Sequence, residues 1–132
     1  MDRPFVLSCR EVSETELGVY RRILDGARWK VAAGREYQTA DVTEHVPGTL
    51  RAFFVKLPPG GSMHWHTDTG DCQTDHIVMT TNPGCENAWL DDAGREQVTH
   101  MLPGHRYSVD RTVWHSACNK GDADRVHLLV EY

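Results

Sequence analysis

Hydrophobic and polar positions follow two different rhythms along this chain, and the change between them divides it. Over residues 14–25 the apolar positions Leu17, Tyr20, Ile23 and Leu24 fall on one face of a helical repeat. Ser13-Glu14-Thr15-Glu16 has the form of a capping box, with Ser13 as N-cap, and Asp25-Gly26 supplies a stop. The pattern predicts one short helix over 14–25, its apolar stripe covering one side of a sheet.

From Gly26 onward the rhythm shortens. β-type runs at 28–32, 37–39, 50–57, 63–66, 76–81, 88–90, 97–102, 107–109, 113–117 and 126–132 are separated by turn chemistry. Pro47-Gly48, Pro58-Pro59-Gly60-Gly61, Asn82-Pro83-Gly84, Pro103-Gly104 and Asn119-Lys120-Gly121-Asp122 are the clearest breaks. Many short strands with such punctuation predict an all-β protein, and their number fits a double-stranded β-helix, the jelly roll of two packed sheets. The final segment is the strongest strand signal. It is apolar on both faces apart from Arg125, His127 and Glu131, which the two-residue period of a strand puts on one face. A guanidinium at the start of a buried strand requires an anion: a ligand carboxylate met in bidentate fashion, or a nearby acid such as Asp122 or Asp124. No repeat, linker or low-complexity segment is present. A single domain over 1–132 is expected, with the helix and its flanking strands in 1–49 and the core in 50–132.

Composition narrows the function classes. At 132 residues, 39% hydrophobic and 25% charged, the chain has the make-up of a soluble globular domain able to bury one core. Nineteen acidic against fourteen basic residues give a net charge of −5 without a basic patch, which argues against nucleic acid as a partner. No apolar run is long enough to span a bilayer, and the first residues lack the apolar stretch of a signal peptide. Cys9, Cys72, Cys85 and Cys118 form no Cys-x-x-Cys pair. A cytoplasmic protein with reduced thiols and no membrane partner is the expectation.

Eight histidines are many for this length, and histidine is the commonest metal ligand. The stretch Met63-His64-Trp65-His66-Thr67-Asp68 reads as extended, so His66 and Asp68 point to the same side, and His115 from a distant strand completes a face. Two histidines and one carboxylate with open positions form the ligand set of non-haem Fe(II) oxygenases. His64 and His66 also make the His-x-His that opens the cupin metal motif. The glutamate of that motif falls at Gly70, however, and none occurs before Glu86. A cupin-like metal-binding protein or enzyme using His64, His66 and His115 without 2-oxoglutarate therefore stays open. So does a non-catalytic jelly-roll binding module needing neither metal nor Arg125.

The ordered set of motifs resembles the aspartyl/asparaginyl β-hydroxylase type of Fe(II)/2-oxoglutarate dioxygenases, which includes some proline hydroxylases. The resemblance spans about residues 50–132. It rests on Leu57-Pro58-Pro59-Gly60-Gly61 before His66-x-Asp68, on His76-Ile77-Val78-Met79 followed by Asn82-Pro83-Gly84-Cys85, and on His115 followed by Arg125. It implies that His66, Asp68 and His115 are catalytic iron ligands, that Arg125 binds the C5 carboxylate of 2-oxoglutarate, and that His76 lies beside this cosubstrate. The arginine that some members carry two residues before that histidine is Thr74 here. The implied cofactors are Fe(II) and 2-oxoglutarate, with dioxygen as co-reactant. The implied reaction is hydroxylation of an amino acid, an aminoacyl residue or a related small molecule, with release of succinate and CO2. Arg51 and Arg111 are the candidate donors for a substrate carboxylate or amide, and His127 lines the same barrel without an assigned role.

Overall fold

The Ser13 hydroxyl accepts a hydrogen bond from the backbone N–H of Glu16 at 3.1 Å and starts helix α1 (Glu14–Asp25). Gly26 ends it, its N–H donating to the Ile23 carbonyl and that of Ala27 to Leu24. The structure is a computed structural model that describes residues 4–31 and 36–132. Leu17 is buried and, with the half-buried Tyr20, Ile23 and Leu24, packs on Ala52, Phe54, Ile77 and Leu128 of a sheet. The helix therefore has the bounds and the covering role that its apolar stripe predicts.

Among the described residues, eleven strands build two antiparallel sheets. The larger sheet runs in the order β1 (Val6–Glu11), β9 (His105–Val109), β6 (Thr74–Thr80), β11 (Arg125–Glu131), β4 (Arg51–Leu57), β3 (Gln38–Asp41), β2 (Lys30–Val31). The smaller runs β5 (Ser62–His66), β10 (His115–Asn119), β7 (Cys85–Leu90), β8 (Glu96–Thr99). From β4 onward the chain passes from one sheet to the other at nearly every turn, which makes the double-stranded β-helix, or jelly roll, that the strand runs predict.

β11 lies at the centre of the larger sheet, paired along its length with β4 on one side and β6 on the other. Its period-2 alternation sends Val126, Leu128 and Val130 into the core under α1, and Arg125, His127, Leu129 and Glu131 toward the space between the sheets. Two turns brace the start of this strand. Gly84 and Gly121 approach so closely that a Cβ on Gly84 would stand 2.4 Å from the Gly121 nitrogen. Asn119 Nδ2 donates to the carbonyls of Leu57 and Ala123, at 2.9 and 2.8 Å.

Strand β1 lies outside every predicted run. It is an edge strand with one pairing partner, β9, and its residues after Val6 are exposed, so no burial pattern marks it in the sequence. The run at 28–32 shortens to β2, and Ala32 lies outside the described residues. The remaining strands follow the predicted runs with shifts of one to a few residues at their ends, where pairing rather than propensity decides.

Because Leu128 is fully buried in the central strand, Leu128→Ala is expected to lower stability by about 2–5 kcal/mol. Leu50→Ala, at a side chain 70% exposed, should change it by less than about 0.5 kcal/mol. Urea unfolding midpoints at constant m-value check the contrast, and equal losses from the two would contradict the packing described.

Candidate metal centre

His66 ends β5 and His115 begins β10, and the strand pairing sets them opposite one another just before a slip in register. Their ring centroids are 4.3 Å apart. Each ring is aimed by the same local device, an Nδ1–H donated to the carbonyl two residues back. His66 uses His64 O and His115 uses Val113 O, both at 2.6 Å. A carbonyl can only accept, so in each neutral ring the lone pair is left on Nε2. Burial, opposed in part by the bond to Val113, lowers the His115 pKa below the ordinary imidazole range and favours that neutral form. Phe5, from the segment leading into β1, stacks on the His115 ring at 5.0 Å.

Asp68 reaches the cluster by a different route from the one its spacing suggests. β5 stops at His66, so strand alternation does not extend to Asp68. The Asp68 N–H instead donates to the Arg111 carbonyl at 2.8 Å, which folds the loop back. Its Oδ2 then lies 3.5 Å from His66 Nε2 and 3.6 Å from His115 Nε2. The three donor atoms lie within 4.8 Å of one another, and among the described residues this is the one His/Cys/Asp/Glu cluster able to hold a metal ion. His64 is not part of it and contributes its backbone carbonyl. Two imidazole nitrogens and a carboxylate oxygen, fixed from behind by backbone acceptors, suit a divalent first-row ion such as Fe(II).

The cluster faces a cavity of about 550 Å³ between the sheets, a volume in the range of small-molecule sites. Arg125, His76, Asn87, Arg51, Arg111 and Glu131 also line it. Arg125 is 1% exposed, and Asn87 Oδ1 accepts from its Nη2 at 3.1 Å. Among the described residues no carboxylate comes within ion-pair distance of it, and Asp122 and Asp124 stay on the surface. Burial pushes the guanidinium down to about 10, which leaves it charged at neutral pH. A buried charge of this kind, facing a cavity, fits an anionic ligand group.

Across the cavity wall, His76 Nδ1 lies 3.1 Å from His127 Nδ1, the rings meeting edge to face. Burial first, and then the Arg125 charge, pushes His76 down to about 3 and His127 well below its ordinary value. Both rings are therefore neutral at neutral pH. Acidification through the ordinary imidazole range weakens folding, because the unfolded chain takes up protons that these sites refuse.

At the opposite end of the cavity Glu131 holds both candidate substrate arginines. Its Oε2 lies 2.7 Å from Arg111 Nη1 and its Oε1 3.6 Å from Arg51 Nη1. Arg111 Nη1 also donates to Thr74 Oγ1 at 3.1 Å. The positive charge absent from position 74 thus arrives there from the loop before β10. Sequence reasoning did not single out Phe5, Asn87 or Glu131 for this site. A buried polar residue at alternate positions of β7 was the available signal for Asn87, and nothing local marked Phe5.

A family model described as aspartyl/asparaginyl β-hydroxylase matches residues 22–132. No curated protein sequence is matched at a significant level. An oxidoreductase of the 2OG-Fe(II) oxygenase family from Burkholderia pseudomallei superposes with a TM-score of 0.72 at 10% identity, over 90% of this chain and 78% of that one. A prolyl-4-hydroxylase from Pseudomonas putida gives 0.68 at 15% identity, over 94% and 90%. A cupin domain from Bordetella pertussis gives 0.52 at 19% identity, over 70% and 91%. At these identities the structural likenesses show the shared jelly-roll fold, while the sequence match carries the lineage. The chain belongs to the aspartyl/asparaginyl β-hydroxylase family.

Proposed function

We propose that this protein is an Fe(II)/2-oxoglutarate-dependent dioxygenase that hydroxylates an amino acid, an aminoacyl residue or a related small molecule. The observation that carries the reading is the buried, charged Arg125, without an acidic partner among the described residues, in the same cavity as the His66, Asp68 and His115 cluster. In this assignment those three residues hold the iron, Arg125 receives the C5 carboxylate of 2-oxoglutarate, and His76 lies beside the cosubstrate. When bound, iron and 2-oxoglutarate supply the oxidising chemistry with dioxygen, giving succinate, CO2 and a hydroxylated product.

The chain's own residues bind and orient. The bonds of His66 and His115 to backbone carbonyls fix both rings before any ion arrives. Asn87 holds one edge of the Arg125 fork, and Phe5 shields the His115 ring from solvent. Arg51 and Arg111, tied by Glu131, offer cationic donors to a carboxylate or amide entering the cavity. The acidic chain and the lack of a basic stripe favour such a substrate over nucleic acid. The unpaired state of Cys9, Cys72, Cys85 and Cys118 supports action in the reducing cytoplasm.

Alanine at His66, Asp68 or His115 is expected to abolish stoichiometric Fe(II) binding in anaerobic equilibrium dialysis, while His64→Ala retains it. Loss on His64→Ala with retention on Asp68→Ala would return the site to a cupin-type ligand set. Arg125→Ala should weaken 2-oxoglutarate binding by about 2–5 kcal/mol and leave metal binding nearly intact. Calorimetric titration of the metal-loaded variant decides this, and an unchanged affinity would remove Arg125 from the cosubstrate site. Succinate production is expected with free amino acids or short peptides. Turnover that depends on DNA, and none with any amino-acid compound, would sink the substrate assignment.

A further inference from the structure

His127 is a fully buried titratable group that the proposed chemistry leaves without a task. The geometry points to it as a positioning residue: its Nδ1–H donates to His76 Nδ1 and locks His76 as the Nε2–H tautomer, so that His76 offers a hydrogen-bond donor to the dicarboxylate cosubstrate. This deepens the reading above and rests on its 2-oxoglutarate assignment.

Two Nδ1 atoms 3.1 Å apart, in rings meeting edge to face at 87°, make a hydrogen bond only if one carries the proton and the other the lone pair. The two neutral rings must therefore be opposite tautomers. In one arrangement His127 donates, and His76 is left with its proton on Nε2. In the other His76 donates, and the proton of His127 moves to its own Nε2.

Two observations select the first. His127 is 1% exposed and makes no second hydrogen bond among the described residues, so its Nε2 meets no acceptor there that would hold a proton on it. His76 lines the cavity and His127 does not. With its Nδ1 edge turned to His127, His76 leaves the opposite edge, which carries Nε2, for the cavity. A lone pair there would repel a carboxylate held by the nearby Arg125, whereas an N–H attracts it. Because β11 carries Arg125 and His127 at period 2, one strand sets both the charge and the tautomer. The register pairs His127 with Val55 and Val78, so apolar neighbours hold its ring in place on both sides.

Long-range 1H–15N spectra of the imidazole nitrogens in the metal-free protein at neutral pH test the tautomer without any cosubstrate. His76→Gln identifies the resonances. The expected result is His76 protonated at Nε2 and bare at Nδ1, with His127 protonated at Nδ1. The reverse pattern overturns the inference, as does a His76 tautomer that is unchanged in His127→Leu.

Calorimetric titration of nickel-loaded protein with 2-oxoglutarate supplies the second readout. His127→Leu is expected to weaken binding by about tenfold. His127→Asn, whose Nδ2–H stands where the imidazole Nδ1–H was, should keep wild-type affinity. Equal losses in the two variants would make His127 a packing residue only. If either fails to fold, the wild-type spectra still decide the tautomer. Intact cosubstrate binding with a reversed tautomer overturns this inference alone. No binding of 2-oxoglutarate by the wild type overturns the dioxygenase reading and this inference with it.

Discussion

A guanidinium buried between two β-sheets, with no carboxylate to meet it among the described residues, is the constraint on which the rest of this structure turns. Burying an unpaired charge costs several kcal/mol by rough estimate, and Arg125 is 1% exposed with an amide oxygen as its protein partner. The strand that carries it is firmly held. β11 is paired with β4 from Arg125 to Glu131 and with β6 from Val126 to Glu131, and the Asn119 and Gly121 turn fastens its start. One strand then distributes distinct tasks at alternate positions. Arg125 brings the charge, His127 meets His76, Leu129 fills the apolar inner wall, and Glu131 ties Arg51 and Arg111.

The candidate metal cluster is assembled by a different logic. Ring orientation is encoded locally, since His66 and His115 each donate to the carbonyl two residues back. Their meeting is encoded at long range, through the β5–β10 pairing and the backbone bond from Asp68 to Arg111. The same Arg111 turns its side chain to Glu131 and Thr74, so the loop that seats the carboxylate also brings a cation into the cavity. A change in that loop would therefore move the metal face and the substrate end together.

What the sequence disclosed follows the same division. The capping box gave α1 because all its determinants lie within a few residues. The apolar run of β11 was legible because a strand buried on both faces must be apolar almost throughout. His66, Asp68 and His115 could be named from residue type and order. The bend that delivers Asp68 could not, because it depends on a carbonyl far along the chain. β1 escaped notice as an edge strand with little burial, and with it Phe5, whose stacking on His115 joins the first described residues to the site. Asn87 and Glu131 acquire their meaning only once β7 and β11 face one cavity.

On the proposed reading, one cavity holds a metal ion at His66, Asp68 and His115 and a dicarboxylate at Arg125. A crystal structure of the protein grown anaerobically with Mn(II) and 2-oxoglutarate tests it most directly. The expected result is one ion coordinated by His66 Nε2, His115 Nε2 and an Asp68 oxygen, with the far carboxylate of 2-oxoglutarate paired to the Arg125 guanidinium. An ion coordinated by His64 in place of Asp68, or 2-oxoglutarate seated away from Arg125, would contradict it.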